Sequence, residues 1–129
     1  MNTFKKILVS SVLAASLATM TSTAFAVVNP SYEEVKAAIV NTLAKVEEAQ
    51  TALNNGATNE TLIDMVTDAR QLQKDIANNV LDLKRNQASN ILKQVRTALQ
   101  NNDQDTAKVT LAEAVNRYKE IQQIYAANH

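Results

Sequence analysis

The chain has 129 residues, with 13 basic and 13 acidic side chains and one histidine, so its formal charge at pH 7 is zero. That balance, with no basic run longer than Lys84-Arg85, excludes the electrostatic footprint of a nucleic-acid binder. The absence of cysteine excludes disulfide stapling, thiolate catalysis, iron–sulfur ligation and thioether haem attachment.

Residues 1–26 read as a cleavable secretory signal. Lys5 and Lys6 supply the positive flank, and a mostly apolar stretch begins at Ile7-Leu8-Val9 and fades through Thr19 to Thr23. Ala24-Phe25-Ala26 then places small residues at the two positions a signal peptidase reads. The apolar stretch is short and broken by Ser10, Ser11 and Ser16, against the roughly 20 apolar residues a membrane span needs. No cysteine follows to accept a lipid. The expected mature chain is therefore a single domain, 27–129, without a stable membrane span, in the periplasm or, alternatively, outside the cell. Cleavage removes Lys5 and Lys6 and no acid, leaving a slightly acidic protein.

The first helix has a strong start signal. Ser31 and Glu34 have the spacing of a capping box, with Pro30 just before them. Val35, Ala38, Ile39, Thr42, Val46, Ala49 and Leu53 follow at spacings of three and four, with Leu43 and Ala52 beside them, which puts one stripe on one helix face. Asn54-Asn55-Gly56 stops the helix with residues that tolerate a left-handed terminus. The second helix opens at Thr58 or Asn59, with the stripe Leu62, Ile63, Val66, Ala69, Gln73, Ile76 and Val80 and an expected end at Asn78-Asn79.

The third helix carries Ala88, Ile91, Leu92, Val95, Ala98 and Leu99. Its start is open, since Val80, Leu81 and Leu83 fit a turn or either helix. One helix from 59 to 101 would span about 64 Å at 1.5 Å per residue, too long for a compact domain, so a break between 78 and 86 is expected. Asn102 or Asp103 caps the fourth helix, whose stripe is Ala107, Leu111, Ala114, Val115, Tyr118, Ile121 and Tyr125. The expected fold is all-α: an antiparallel up-down-up-down four-helix bundle. Its core is aliphatic, because Trp is absent and both phenylalanines, Phe4 and Phe25, fall in the signal.

Thr51-Ala52-Leu53-Asn54-Asn55 returns as Thr97-Ala98-Leu99-Gln100-Asn101, an offset of 46 positions. At that offset Val46 falls on Leu92, Ala49 on Val95 and Ala69 on Val115, while Leu62 falls on Lys108. A duplicated helical hairpin is the physical reading, because one hairpin leaves an apolar side that a second copy covers.

These stretches, Val46 to Gly56 and Ile91 to Leu99, each followed by a polar link and a helix with regularly spaced alanines, resemble the small metal-binding protein family of the periplasm. The resemblance covers the chain from near Glu47 to Ile121. It implies an exported four-helix bundle that binds divalent metals through many histidines. Here the sole histidine is His129, and Gln50, Gln71, Gln73, Gln94 and Asn116 stand where such a protein would display imidazoles. The resemblance therefore carries over the fold and the compartment, without a histidine site.

The metal candidates that remain are weak. Asp64, Asp68 and Asp75 share roughly one face of the second helix, with Asp82 following, and oxygen ligands suit Ca²⁺ and other hard ions. A solvated face accounts for the same spacing. His129 offers one imidazole at a chain end, a poor ligand set by itself. Met65 reads as core filler, with no second axial ligand for a haem. Tyr32 starts the first helix, and Tyr118 and Tyr125 lie late in the fourth. In an antiparallel bundle these ends meet, so the three rings are expected to close one end of the core with their hydroxyls reaching water, where a small ligand or partner can dock.

No nucleophile has a companion base, no carboxylate pair is arranged for acid–base work, and the single glycine rules out a Gly-rich phosphate loop. The expectation is a non-enzymatic protein, with no cofactor, that acts by interaction with an envelope partner, for example in stress protection. The alternative is weak divalent-metal sequestration by carboxylates. Oligomeric state is not legible from the sequence.

Overall fold

The computed structural model describes residues 32–128. The expected signal at 1–26, the Ser31 half of the capping box and His129 lie outside the described residues. The described chain forms four α-helices: α1 (Tyr32–Asn54), α2 (Asn59–Leu72), α3 (Asp82–Gln100) and α4 (Gln104–Ala127). A single 3₁₀ turn, Gln73–Asp75, follows α2, and no strand occurs among the described residues. α1 packs on α2 and α4, and α3 packs on α2 and α4, the helix–helix pairing of a four-helix bundle.

The stripes bury as the spacings require. All the stripe residues of the first, third and fourth helices lie in the core, as does Leu43 beside the first stripe, while Ala52 is partly buried against it. Packing must therefore supply the stability, and it does so through many small aliphatic contacts. Val46, Leu92 and Val95 are fully buried, and Ala88, Ala107 and Ala114 bring backbones close where larger residues would hold them apart. The one buried hydroxyl of α1, Thr42, is satisfied within its own helix by donating to the Ala38 carbonyl at 2.7 Å.

Both hairpin links close in the same way. In the first, the Ala57 N–H donates to the Ala52 carbonyl (3.0 Å) and the Gly56 N–H to Leu53 (3.2 Å). In the second, Asp103 donates to Ala98 (2.8 Å) and Asn102 to Leu99 (3.1 Å). Each is a Schellman-type closure around one left-handed residue, Gly56 (φ 84°) or Asn102 (φ 58°). The Thr58 hydroxyl accepts the Thr61 N–H at 3.2 Å to cap α2, and the Asp103 carboxylate accepts the Thr106 N–H at 3.1 Å to cap α4. The Asn59 amide donates to Asn102 Oδ1 (2.6 Å) and accepts from Gln104 (2.7 Å), so the two links sit together at one end of the bundle.

The connection between α2 and α3 departs from expectation. α2 stops at Leu72, six residues before the expected Asn78-Asn79 end. Tightening into the 3₁₀ turn lets the chain bury Ile76 and Leu81, while Val80, assigned to the core stripe by periodicity, is 69% exposed. No glycine or proline makes this break. The Asn78 side chain does, accepting the Val80 N–H at 2.9 Å and the Leu81 N–H at 3.3 Å in an Asx turn. Arg85 then reaches back nine positions to donate to the Ile76 carbonyl at 3.2 Å, satisfying an acceptor the ended helix leaves open.

Candidate functional site

Beside the end of the bundle where α1 starts and α4 ends, Tyr32 and Tyr125 meet. Their rings stack with centroids 5.1 Å apart and planes 13° from parallel. The Tyr125 hydroxyl donates to the Tyr32 backbone carbonyl at 3.2 Å, an acceptor in the first turn of α1. That bond holds the Tyr125 ring to the α1 backbone, and the Tyr32 ring stacks on it. Burial pushes the Tyr125 phenol above its ordinary range, helped by Tyr32 and the Glu33 carboxylate. Lys36, one turn into α1, carries its ammonium over the Tyr32 ring at 5.8 Å from the centroid.

These residues enclose a cleft of about 290 Å³ between α1 and α4, its wall completed by Ile39, Val40, Gln122 and Ala126. It is chiefly apolar, with an ammonium and an amide as its polar features. On the other side of Tyr125, Val80, Leu81 and Ile124 line a much smaller crevice. Val80, on the α2–α3 connection, is 69% exposed, as is Leu83 in the first turn of α3.

The third tyrosine does not join this end. Tyr118 lies two turns earlier on α4 and is completely buried, so its hydroxyl does not reach water as expected. It has no protein hydrogen-bond partner, and neither does the Gln73 side-chain oxygen. Burial drives the Tyr118 pKa far up, against the opposing charges of Arg70 and Arg85. The periodic stripe marked Tyr118 as core, and seven-residue spacing from Tyr125 put it on the same face. The depth of that face in the bundle is a tertiary property.

A larger groove of about 620 Å³ runs between α3 and α4 past Asn90, Lys93, Gln94, Thr97 and Asn101. Its threonine hydroxyls are engaged locally: Thr97 donates to the Lys93 carbonyl, Thr110 to the Thr106 carbonyl and Thr106 to Asp103. Its amides are exposed, and its one buried lining residue, Ala98, is apolar.

The carboxylates named from sequence remain separate. Asp64 and Asp68 are exposed one turn apart on α2, and Asp75 lies on the 3₁₀ turn beyond the end of that helix. Asp82 pairs with Arg85 at 3.7 Å. Among the described residues, no three His, Cys, Asp or Glu side chains are grouped to hold a metal ion. Met65 packs against the core as expected. Among the described residues, no helix is long and apolar enough to cross a membrane.

Comparison with protein-family models, with curated proteins and with solved structures finds no match to this chain.

Proposed function

We propose that this is an exported helical-bundle protein that acts in the cell envelope by non-catalytic contact with another protein. The observation that carries the reading is the uncovered connection between α2 and α3. Val80, on the connection, lines the crevice beside Tyr125 and faces solvent, and Leu83 faces solvent three residues on, in the first turn of α3, while Leu81 between them is buried. Exposed aliphatic side chains on, and just after, a turn fixed by Asn78 and Arg85 are a preformed contact surface. The periplasmic destination, with the outside of the cell as alternative, rests on residues 1–26. A role in stress protection belongs to the same reading.

The common closure at Gly56 and Asn102 supports a duplicated hairpin as the origin of the bundle, and the meeting of both links at one end supports the up-down-up-down order. The test is export and capture together. The full chain expressed in a two-membrane bacterium is expected in the periplasm, beginning at Val27. Proteins cross-linked to it there are expected to be lost from the Val80→Ser, Leu83→Ser double variant while its helicity is unchanged. Cytoplasmic retention, or capture indifferent to the double variant, would refute the reading.

The second reading is weak divalent-cation binding, favoured by the exposed one-turn pair Asp64 and Asp68 together with the family resemblance. Calorimetric titration with Cu²⁺, Zn²⁺, Ni²⁺ and Ca²⁺ separates the two. Binding that disappears with Asp64→Asn and Asp68→Asn, or with removal of His129, supports it; absence of heat and of thermal stabilisation with every ion removes it.

A further inference from the structure

We propose that the cleft between α1 and α4 binds a small organic carboxylate with an aromatic or branched apolar body. The inference is independent of the contact surface on the α2–α3 connection, because none of the cleft-lining residues belongs to that segment.

The cleft's size comes first. At about 290 Å³ it lies at the lower limit of small-molecule sites, which selects a ligand of roughly a dozen heavy atoms and excludes a folded segment. Its walls come next. The Tyr32 and Tyr125 rings offer flat aromatic surface, and Ile39, Val40 and Ala126 offer aliphatic surface, so the body of the ligand is apolar. The walls are set before binding, because the hydrogen bond to the α1 backbone holds the Tyr125 ring and the Tyr32 ring stacks on it. Little ordering entropy is then lost when the ligand enters.

Charge fixes the head group. Lys36 is the charged residue of the lining, and it makes no ion pair among the described residues. Its ammonium rests over the Tyr32 face, where a carboxylate at the cleft mouth meets it while the apolar body lies against the rings. The Gln122 side-chain amide on the opposite helix can donate to the second carboxylate oxygen. A cationic ligand would meet Lys36 unfavourably, and a purely apolar one would leave it unused.

The probe pair is 3-phenylpropionate and its neutral counterpart 3-phenylpropan-1-ol, titrated into the full chain and read by amide NMR shifts. Both are expected to move the amides of Lys36, Val40, Gln122 and Ala126, with the carboxylate binding about fivefold tighter, the upper range for an exposed ion pair. Lys36→Gln is expected to erase that preference and leave alcohol binding unchanged. Ala126→Phe, at an exposed position on the lining, is expected to weaken both probes by about tenfold or more with the helical spectrum intact. The Val80→Ser, Leu83→Ser variant is expected to bind both probes normally, so failure of the contact surface and failure of the cleft give different results. Shifts absent from the cleft, equal affinity for acid and alcohol, or a preference that survives Lys36→Gln would each overturn the proposal.

Discussion

Gly56 and Asn102 are the two left-handed residues of the described chain, and they stand 46 positions apart, one just after the stretch 51–55 and the other just after the similar stretch 97–101. Both sit one residue past an Ala-Leu-x-Asn helix end, and both let the next amide turn back to the carbonyl of the alanine. One link meets the requirement with glycine. The other uses asparagine and gains a hydrogen bond from Asn59.

The two positions should therefore respond differently to substitution. Gly56→Ala is expected to destabilise by about 1 kcal/mol. A Cβ there meets nothing within 4 Å, so backbone conformation is the whole cost. Asn102→Ala is expected to cost at least as much, whereas Asn102→Gly should be close to neutral, because relief at the backbone offsets the lost Asn59 contact. Urea unfolding of the three variants, compared with wild type at constant m-value, measures this.

The α2–α3 connection makes a prediction about neighbouring residues. Val80→Ser is expected to change stability by less than about 0.5 kcal/mol, and Leu81→Ala to cost roughly 2–4 kcal/mol. A continuous stripe on a longer second helix would reverse the order. Thermal unfolding of both variants decides between the two arrangements.

Tyr118 gives a test of a buried hydroxyl without a protein partner. Tyr118→Phe keeps the ring and removes the oxygen, so it is expected to be neutral or to stabilise by up to about 1 kcal/mol. The wild-type phenol is held protonated by burial, above its unfolded pKa near 10. Its contribution is fully present below pH 10 and is lost progressively as pH rises beyond that, because the unfolded chain releases the proton first. The Phe variant should therefore resist alkaline unfolding better than wild type. Equal alkaline midpoints would show that the ring is not buried as described.

Asp103 works in the opposite direction. The side-chain hydrogen bond from Thr106, then its backbone N–H, holds this carboxyl below the usual value of 3.8. Its contribution is present above that value and fades as pH falls below it toward the folded value. Asp103→Ala is expected to lower the melting temperature by a few degrees at pH 7, with the difference from wild type closing in acid. A melting-temperature series from pH 7 to pH 2 on both proteins checks it.

Much of this architecture was legible in residue order. The spacing of apolar residues in the first, third and fourth helices gave the buried faces residue for residue, because a helix with one greasy side has only one way to hide it. Gly56, the pair Thr58 or Asn59, and the pair Asn102 or Asp103 marked the links, since their local chemistry acts over three or four positions; the structure chose Thr58 and Asp103 as the caps. The early stop at Leu72 was not legible. It depends on Asn78 closing a turn and Arg85 reaching the Ile76 carbonyl, a choice between two local structures of similar propensity that packing decides.

The candidate site divides along the same line. Sequence placed Tyr32 and Tyr125 at ends that a bundle brings near each other. Only the tertiary structure decided that those two rings stack, that Tyr118 lies deep in the core, and that Lys36 stands over a cleft. Periodicity determines which side of a helix is buried, because it depends on one helix alone. How deep a residue lies and which side chain it meets depend on the axial register between helices, and that is set by the sum of contacts along all four.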